Sequence, residues 1–174
     1  MKLWRNIYLL ISSLLSLSCS VSPPQGVQAV ENFSLDRYLG TWYEIARLDN
    51  RFERGLEHIT ATYIRNADGS VKVINQGFSP TQQQWRRSIG KAKFIDSPNR
   101  AALKVSFFWP FYGGYHVIAL DPEYRYALVA GPSRNYLWLL SRTPKLEKEE
   151  TASLLKIARA LNFPVDKLIW VKQG

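Results

Sequence analysis

The sequence predicts an all-β protein: an eight-stranded antiparallel up-and-down β-barrel, then one C-terminal α-helix and a short final strand. Three observations carry that prediction. From Gly40 onward, short runs of alternating apolar and polar residues recur, and alternation with period two is the mark of a half-buried strand. Turn residues separate these runs about every ten residues, the spacing of a sandwich or barrel built from hairpins. Strands do not alternate with helical stretches and no glycine-rich phosphate loop occurs, which disfavours a parallel sheet or a nucleotide-binding fold.

The chain opens with Lys2 and Arg5, an apolar run from Ile7 to Leu17, and small residues before Cys19. This is the layout of a secretory signal, too short and too serine-broken to span a bilayer. Residues 1–18 are therefore read as a lipoprotein signal peptide. Leu15-Ser16-Leu17-Ser18-Cys19 resembles a bacterial lipobox, whose cysteine becomes the acylated first residue; Ser16 stands where a larger aliphatic residue is usual. Acylation also explains a lone exported thiol, because one cysteine cannot form an intrachain disulfide. By the same resemblance, Ser20 directs the protein to the inner, periplasm-facing side of the cell outer membrane. Residues 19–32, with Pro23-Pro24 and Gly26, show no periodicity and read as a flexible tether. Residues 33–174 form the barrel domain.

The first strand begins at Gly40, where Trp42, Glu44 and Ala46 alternate with Tyr43, Ile45 and Arg47. A tryptophan on a strand needs a closed apolar site, which a barrel floor supplies better than an open two-layer surface. A loop over 49–56 leads to a strand over 57–65, a hairpin turn at Asn66-Ala67-Asp68-Gly69, and a strand over 70–76. A second long loop spans 77–84. Strands over 85–95, 101–109, 114–120, 124–130 and 136–142 follow, punctuated by Asp96-Ser97-Pro98-Asn99, Pro110 to Gly113, Asp121-Pro122 and Gly131-Pro132-Ser133. After Thr143-Pro144 the period changes to helical: Leu154, Ile157, Ala158 and Leu161 share a face, with glutamates early and Lys156 and Arg159 late, as the helix dipole favours. Its opposite face mixes signs, so the stripe is expected to pack on the sheet. Residues 168–171 read as the last strand.

An apolar content of 46% excludes a disordered chain, and 13% aromatics exceed what a bare core needs, favouring a protein that lines a cavity. The net charge of +9 falls to +7 without Lys2 and Arg5. No Lys/Arg run exceeds two residues, so the charges read as solvated strand faces and no nucleic-acid partner is expected. Two histidines and one cysteine make no metal cluster.

Gly40-x-Trp42 on the first strand, the Asp121-Pro122-Glu123-Tyr124 turn and Arg142 on the last barrel strand stand in the order and register that resemble the lipocalin family. The likeness covers residues 33–172, and Tyr38 to Ala46, Phe52-Glu53-Arg54-Gly55 and Leu139 to Pro144 resemble bacterial outer-membrane lipocalins in particular. The proline in the second motif departs from the family pattern. The resemblance implies that Arg142 lies across Trp42 at the closed end, a structural pair at the barrel floor. With those two inward, alternation places Glu44, Ala46, Tyr136, Trp138 and Leu140 inward as well. The same resemblance puts Val71, Val73, Asn75, Val105, Phe107, Trp109, Tyr115, Val117 and Ala119 on the lining, with Phe52 and Phe78 as lids on the open-end loops. Arg51, Arg54, Arg86 and Arg87 are expected near that rim, suited to an anionic head group.

Such a lining suits acyl chains. The expected function is binding, storage or transfer of a lipid amphiphile, a fatty acid or lysophospholipid, at the bacterial envelope, with a membrane anchor on Cys19 and no cofactor. No enzyme is expected: Cys19 lies outside the barrel, His116 has outward parity, and His58 adjoins Glu57 with no serine placed beside it. A structural envelope protein with a filled barrel, or a lipid-modifying enzyme, are the alternatives. Whether two barrels form a homodimer through an outward aromatic such as Phe108 is open, as is the partner of the inward Glu44 carboxyl.

Overall fold

The computed structural model describes residues 20–174; the signal segment and Cys19 lie outside the described residues. Strands β1 (Gly40–Arg47), β2 (Glu57–Arg65), β3 (Val71–Ser79), β4 (Gln84–Phe94), β5 (Ala102–Phe108), β6 (Phe111–Leu120), β7 (Tyr126–Ala130) and β8 (Leu137–Ser141) pair antiparallel in chain order. Pairing of β8 with β1 and of β1 with β2 closes the barrel. Helix α2 (Lys148–Ala160) and the short strand β9 (Ile169–Trp170) complete the predicted set. Beyond Tyr43 the first strand parts from β2, and β9 pairs there with Ala46 and Arg47, covering backbone that β2 no longer reaches.

The floor is built where the sequence places it. Gly40 enters β1 at φ 93°, a conformation that favours glycine, and an added Cβ would stand 3.4 Å from the Arg142 guanidinium. That guanidinium lies 4.0 Å from the Trp42 ring centre. It donates to the carbonyls of Thr41, Arg37 and Tyr124 at 3.0, 2.7 and 3.3 Å. Trp42 is fully buried and donates its indole N–H to the Tyr38 carbonyl at 2.8 Å. Tyr38 comes from a four-residue helix, α1 (Leu35–Tyr38), which the sequence reading did not anticipate and which plugs the closed end with Leu35 and Phe33.

The α2 stripe packs outside the barrel as expected, Leu154 and Ala158 meeting Ile45, Leu128, Leu137 and Leu139. A capping box between Glu147 and Glu150 satisfies the helix N-terminus. The loop expected over 77–84 is shorter: β3 runs through Ser79 and a tight turn occupies 80–83.

Residues 20–32 differ from the expected free tether. Val30 inserts between strands, donating to the Val117 carbonyl and accepting from the Ala101 amide, while Phe33 donates to the Asn99 carbonyl. Val27 and Ala29 are buried. Val21 sits so close to β6 that a Cβ on Gly114 would lie 2.6 Å from its carbonyl oxygen, and that oxygen also contacts His116 Nε2 at 2.9 Å. Satisfied backbone groups and the buried Val27 and Ala29 side chains hold the strap where composition alone suggested a spacer.

Arg142→Leu removes three hydrogen bonds and the ring contact together. Urea unfolding should show a loss of about 2–4 kcal/mol, and Arg142→Lys should recover only part of it.

Candidate functional site

Two bulges decide which side chains face inward. On β1 the ladder to β8 passes from Glu44↔Leu140 to Ala46↔Leu139, so one residue is taken up and the parity reverses. Ala46, expected inward, joins the outer cluster under α2, and Arg47, expected outward, turns inside and is buried. On β6 the step from Val117↔Val129 to Ala119↔Leu128 does the same, carrying Ala119 to the outer cluster.

Inside the barrel is a cavity of about 110 Å³ that opens at the end opposite Trp42, several times the ~10–15 Å³ that one water requires. Of the fifteen residues expected to line it, nine do: Glu44, Val71, Val73, Asn75, Val105, Phe107, Tyr115, Trp138 and Leu140. Val117 faces inward but is packed completely into the inner core. Tyr136 stacks on Trp138, 6.1 Å between ring centres, without reaching the wall. Phe52 and Trp109 are exposed on open-end loops, because neither loop folds back over the mouth. Arg51 lies over the Phe52 ring and Arg54 is held by Asp49, so neither points a free head-group contact into the cavity. His116 has outward parity, as read, yet is buried under the N-terminal strap, and burial lowers its pKa.

Two polar groups of residues interrupt the apolar wall, and the sequence reading found only part of each. Near the floor, the Tyr115 hydroxyl contacts those of Tyr38 and Tyr63, each at 2.7 Å. Burial raises the pKa of all three, keeping them protonated. Three hydroxyl protons share two contacts, so one proton is left to donate to whatever occupies the cavity. Tyr63 could have been found by extending alternation to β2, where it pairs with Gly40; Tyr38 lies on the unanticipated helix.

Nearer the mouth, Arg47 donates to Glu44 Oε1 at 3.2 Å and to the Glu53 carbonyl at 2.7 Å. Glu53, from the loop after β1, accepts from the Trp138 indole at 3.0 Å and from Asn50. This answers the question of Glu44: its partner is the arginine that the bulge turned inward. Burial first, and then the adjacent Glu53 carboxylate, hold the Glu44 carboxyl well above the usual carboxylate range, and Arg47 only partly offsets them.

A carboxyl whose folded pKa is raised binds its proton more tightly when folded, so its contribution to stability is lost as pH rises from the ordinary carboxylate value through the folded one. Glu44→Gln keeps the acceptor for Arg47 without that dependence. Urea midpoints measured from roughly pH 5 to 8 should fall more steeply for the wild type than for Glu44→Gln.

The closed barrel, the sealed floor and the apolar cavity agree with what the chain is similar to. Residues 33–173 match the family model described as a lipocalin-like domain. The chain is 58% identical over 163 residues to the outer membrane lipoprotein Blc of Citrobacter freundii, covering 93% of this chain and 92% of that one. It is 45% identical over 170 residues to the outer membrane lipoprotein Blc of Vibrio cholerae, covering 97% and 99%. Temperature-induced lipocalin-1 of Arabidopsis thaliana is 35% identical, with 82% and 80% covered. Among solved structures, insecticyanin from the tobacco hornworm Manduca sexta superposes with a TM-score of 0.66 at 17% identity over 88% of each chain, a likeness of fold. The chain belongs to the lipocalin family.

Proposed function

We propose that the protein binds a single-chain lipid amphiphile, a fatty acid or lysophospholipid, with part of its acyl chain in the barrel, and stores or transfers it at the periplasmic face of the outer membrane. The observation that carries this reading is the cavity itself: apolar side chains of six strands, with Phe33 and Leu35 from the closed end, surround an open space inside the barrel. A structural protein would fill that space with side chains, as the chain does beside it, where Val117, Ala127 and Val129 are fully buried. Apolar walls with few polar groups suit an alkyl segment, and the leftover tyrosine proton suits an oxygen-bearing one. Anchoring is assigned to Cys19, directly before the first described residue. Several acyl chains at about 0.8 kcal/mol per buried methylene would hold the protein stably.

Purified protein should displace a fluorescent fatty-acid probe with saturable stoichiometry, and absence of saturable uptake of any amphiphile sinks the reading. Val105→Trp, which fills the cavity, should weaken binding about tenfold or more while the fold persists. Tyr115→Phe should cost about five- to tenfold for a ligand bearing a carbonyl or hydroxyl within the barrel, and little for a plain alkyl chain. For the anchor, palmitate label should follow Cys19; Cys19→Ala protein that still sediments with membranes counts against acylation.

A further inference from the structure

The two ends of the barrel differ in chemistry. Turns at the closed end are polar and acid-bearing: Asn66 to Gly69, Asp96 to Asn99, and Asp121 to Glu123. The open end presents aromatics to solvent. Phe108, Trp109 and Phe111, at the tip of the β5–β6 hairpin, are 79%, 82% and 61% exposed, and Phe52 and Trp85 on neighbouring open-end segments are 68% and 55% exposed. Large aromatics left in water at one end of a soluble-looking barrel mark a contact surface. Basic residues accompany them. Arg51, Arg86 and Arg87 belong to the same end, whereas Asp49 and Glu57 there are neutralised by Arg54 and Lys172.

The path of the N-terminal strap identifies what covers this surface. Val21 lies beside Gly114 and His116 on β6, and Val30 lies deeper, at Val117 and Ala101. Traced back towards residue 20, the strap therefore climbs β6 towards the hairpin tip. Gly114 is three residues from Phe111, roughly 10 Å of strand, and two residues separate Val21 from Cys19, a reach of roughly 7 Å. The first described residues of the strap therefore lie on the strand that leads to the aromatic tip.

We propose that the barrel docks mouth-first on the phospholipid leaflet to which it is tethered, the Phe108–Trp109–Phe111 tip entering the interface and the arginines facing anionic head groups. Trp and Phe side chains partition to the headgroup boundary, and nearby cations add attraction to anionic lipid. The strap, pinned to β6, holds the mouth at the surface, where a free spacer would let the barrel tumble. An amphiphile then passes between leaflet and cavity without crossing bulk water. Docking rests on the anchor reading for its geometry and is independent of which lipid the cavity takes.

The test uses the full acylated chain reconstituted in phosphatidylethanolamine and phosphatidylglycerol vesicles whose acyl chains carry bromine near the head group, which quenches tryptophan on contact. Wild-type emission should be quenched, and the quenched portion should fall by about half in Trp109→Tyr, with the unfolding midpoint unchanged because the residue is exposed. Protein that floats with the vesicles but is not quenched overturns docking and leaves the anchor standing. Protein that does not float overturns both. A wild-type dimer that Trp109→Ser splits, with no quenching by lipid, assigns the tip to a second copy of the chain and also overturns the proposal.

Discussion

The contact on which the rest depends is the Arg142 guanidinium across the Trp42 ring. A planar cation with five N–H donors can cover an aromatic face and still donate in its plane, and here it reaches three carbonyls from three separate segments. Those segments are the end of α1, the start of β1 and the turn before β7, so a single side chain ties the entry of the barrel to its exit. With the floor set, residues one pleat above it must face the cavity. Glu44 above Trp42, and Leu140 above Arg142, do so. The tyrosines above the floor inherit the same constraint, since Tyr38 packs on Trp42 at 4.7 Å and Tyr63 pairs with Gly40.

Much of this was legible because alternation is a local property of the chain. The strand order and the outer packing of α2 follow from period two and turn residues, and nine of the cavity residues follow once the lipocalin resemblance fixes which face of each strand is inward. What escaped is non-local. A bulge is set by how two strands share twist and by what lies behind them, and nothing in Glu44-Ile45-Ala46-Arg47 announces one. Its effect spreads along the strand: one residue taken up exchanges Ala46 for Arg47 inside the barrel. The short helix α1 is likewise held by tertiary packing, since four residues are too few for helix propensity to sustain.

The β1 bulge also resolves an apparent contradiction. An inward carboxyl in an apolar barrel is costly alone, and an outward arginine under a packed surface would be costly too. Reversing the strand between them places the two side by side, and the loop after β1 then supplies Glu53, whose carboxylate links that loop to Trp138 on β8. The polar group near the mouth thus fastens the longest open-end loop to the barrel wall. Glu53 is held by Arg47 and Trp138, while Asn50 donates to Glu53 and accepts from the Phe52 and Glu53 amides, closing a tight turn from which the Phe52 side chain projects.

The N-terminal strap carries the same reasoning to the outside of the molecule. A Pro-Pro-Gln-Gly stretch looks like a spacer because composition reports only what a segment can do by itself. Whether it stays free depends on backbone groups elsewhere that lack partners. Here Ala101 and Val117 share a single backbone hydrogen bond, from the Val117 amide, and Val30 satisfies the remaining Ala101 amide and Val117 carbonyl, while Gly114 removes the side chain that would otherwise keep Val21 away. His116 is buried as a consequence; burial lowers its pKa, and the Val21 carbonyl beside Nε2 partly offsets that. A segment that served only as a spacer would have no use for a glycine and a buried histidine at that point. Their presence fixes the described part of the strap against β6.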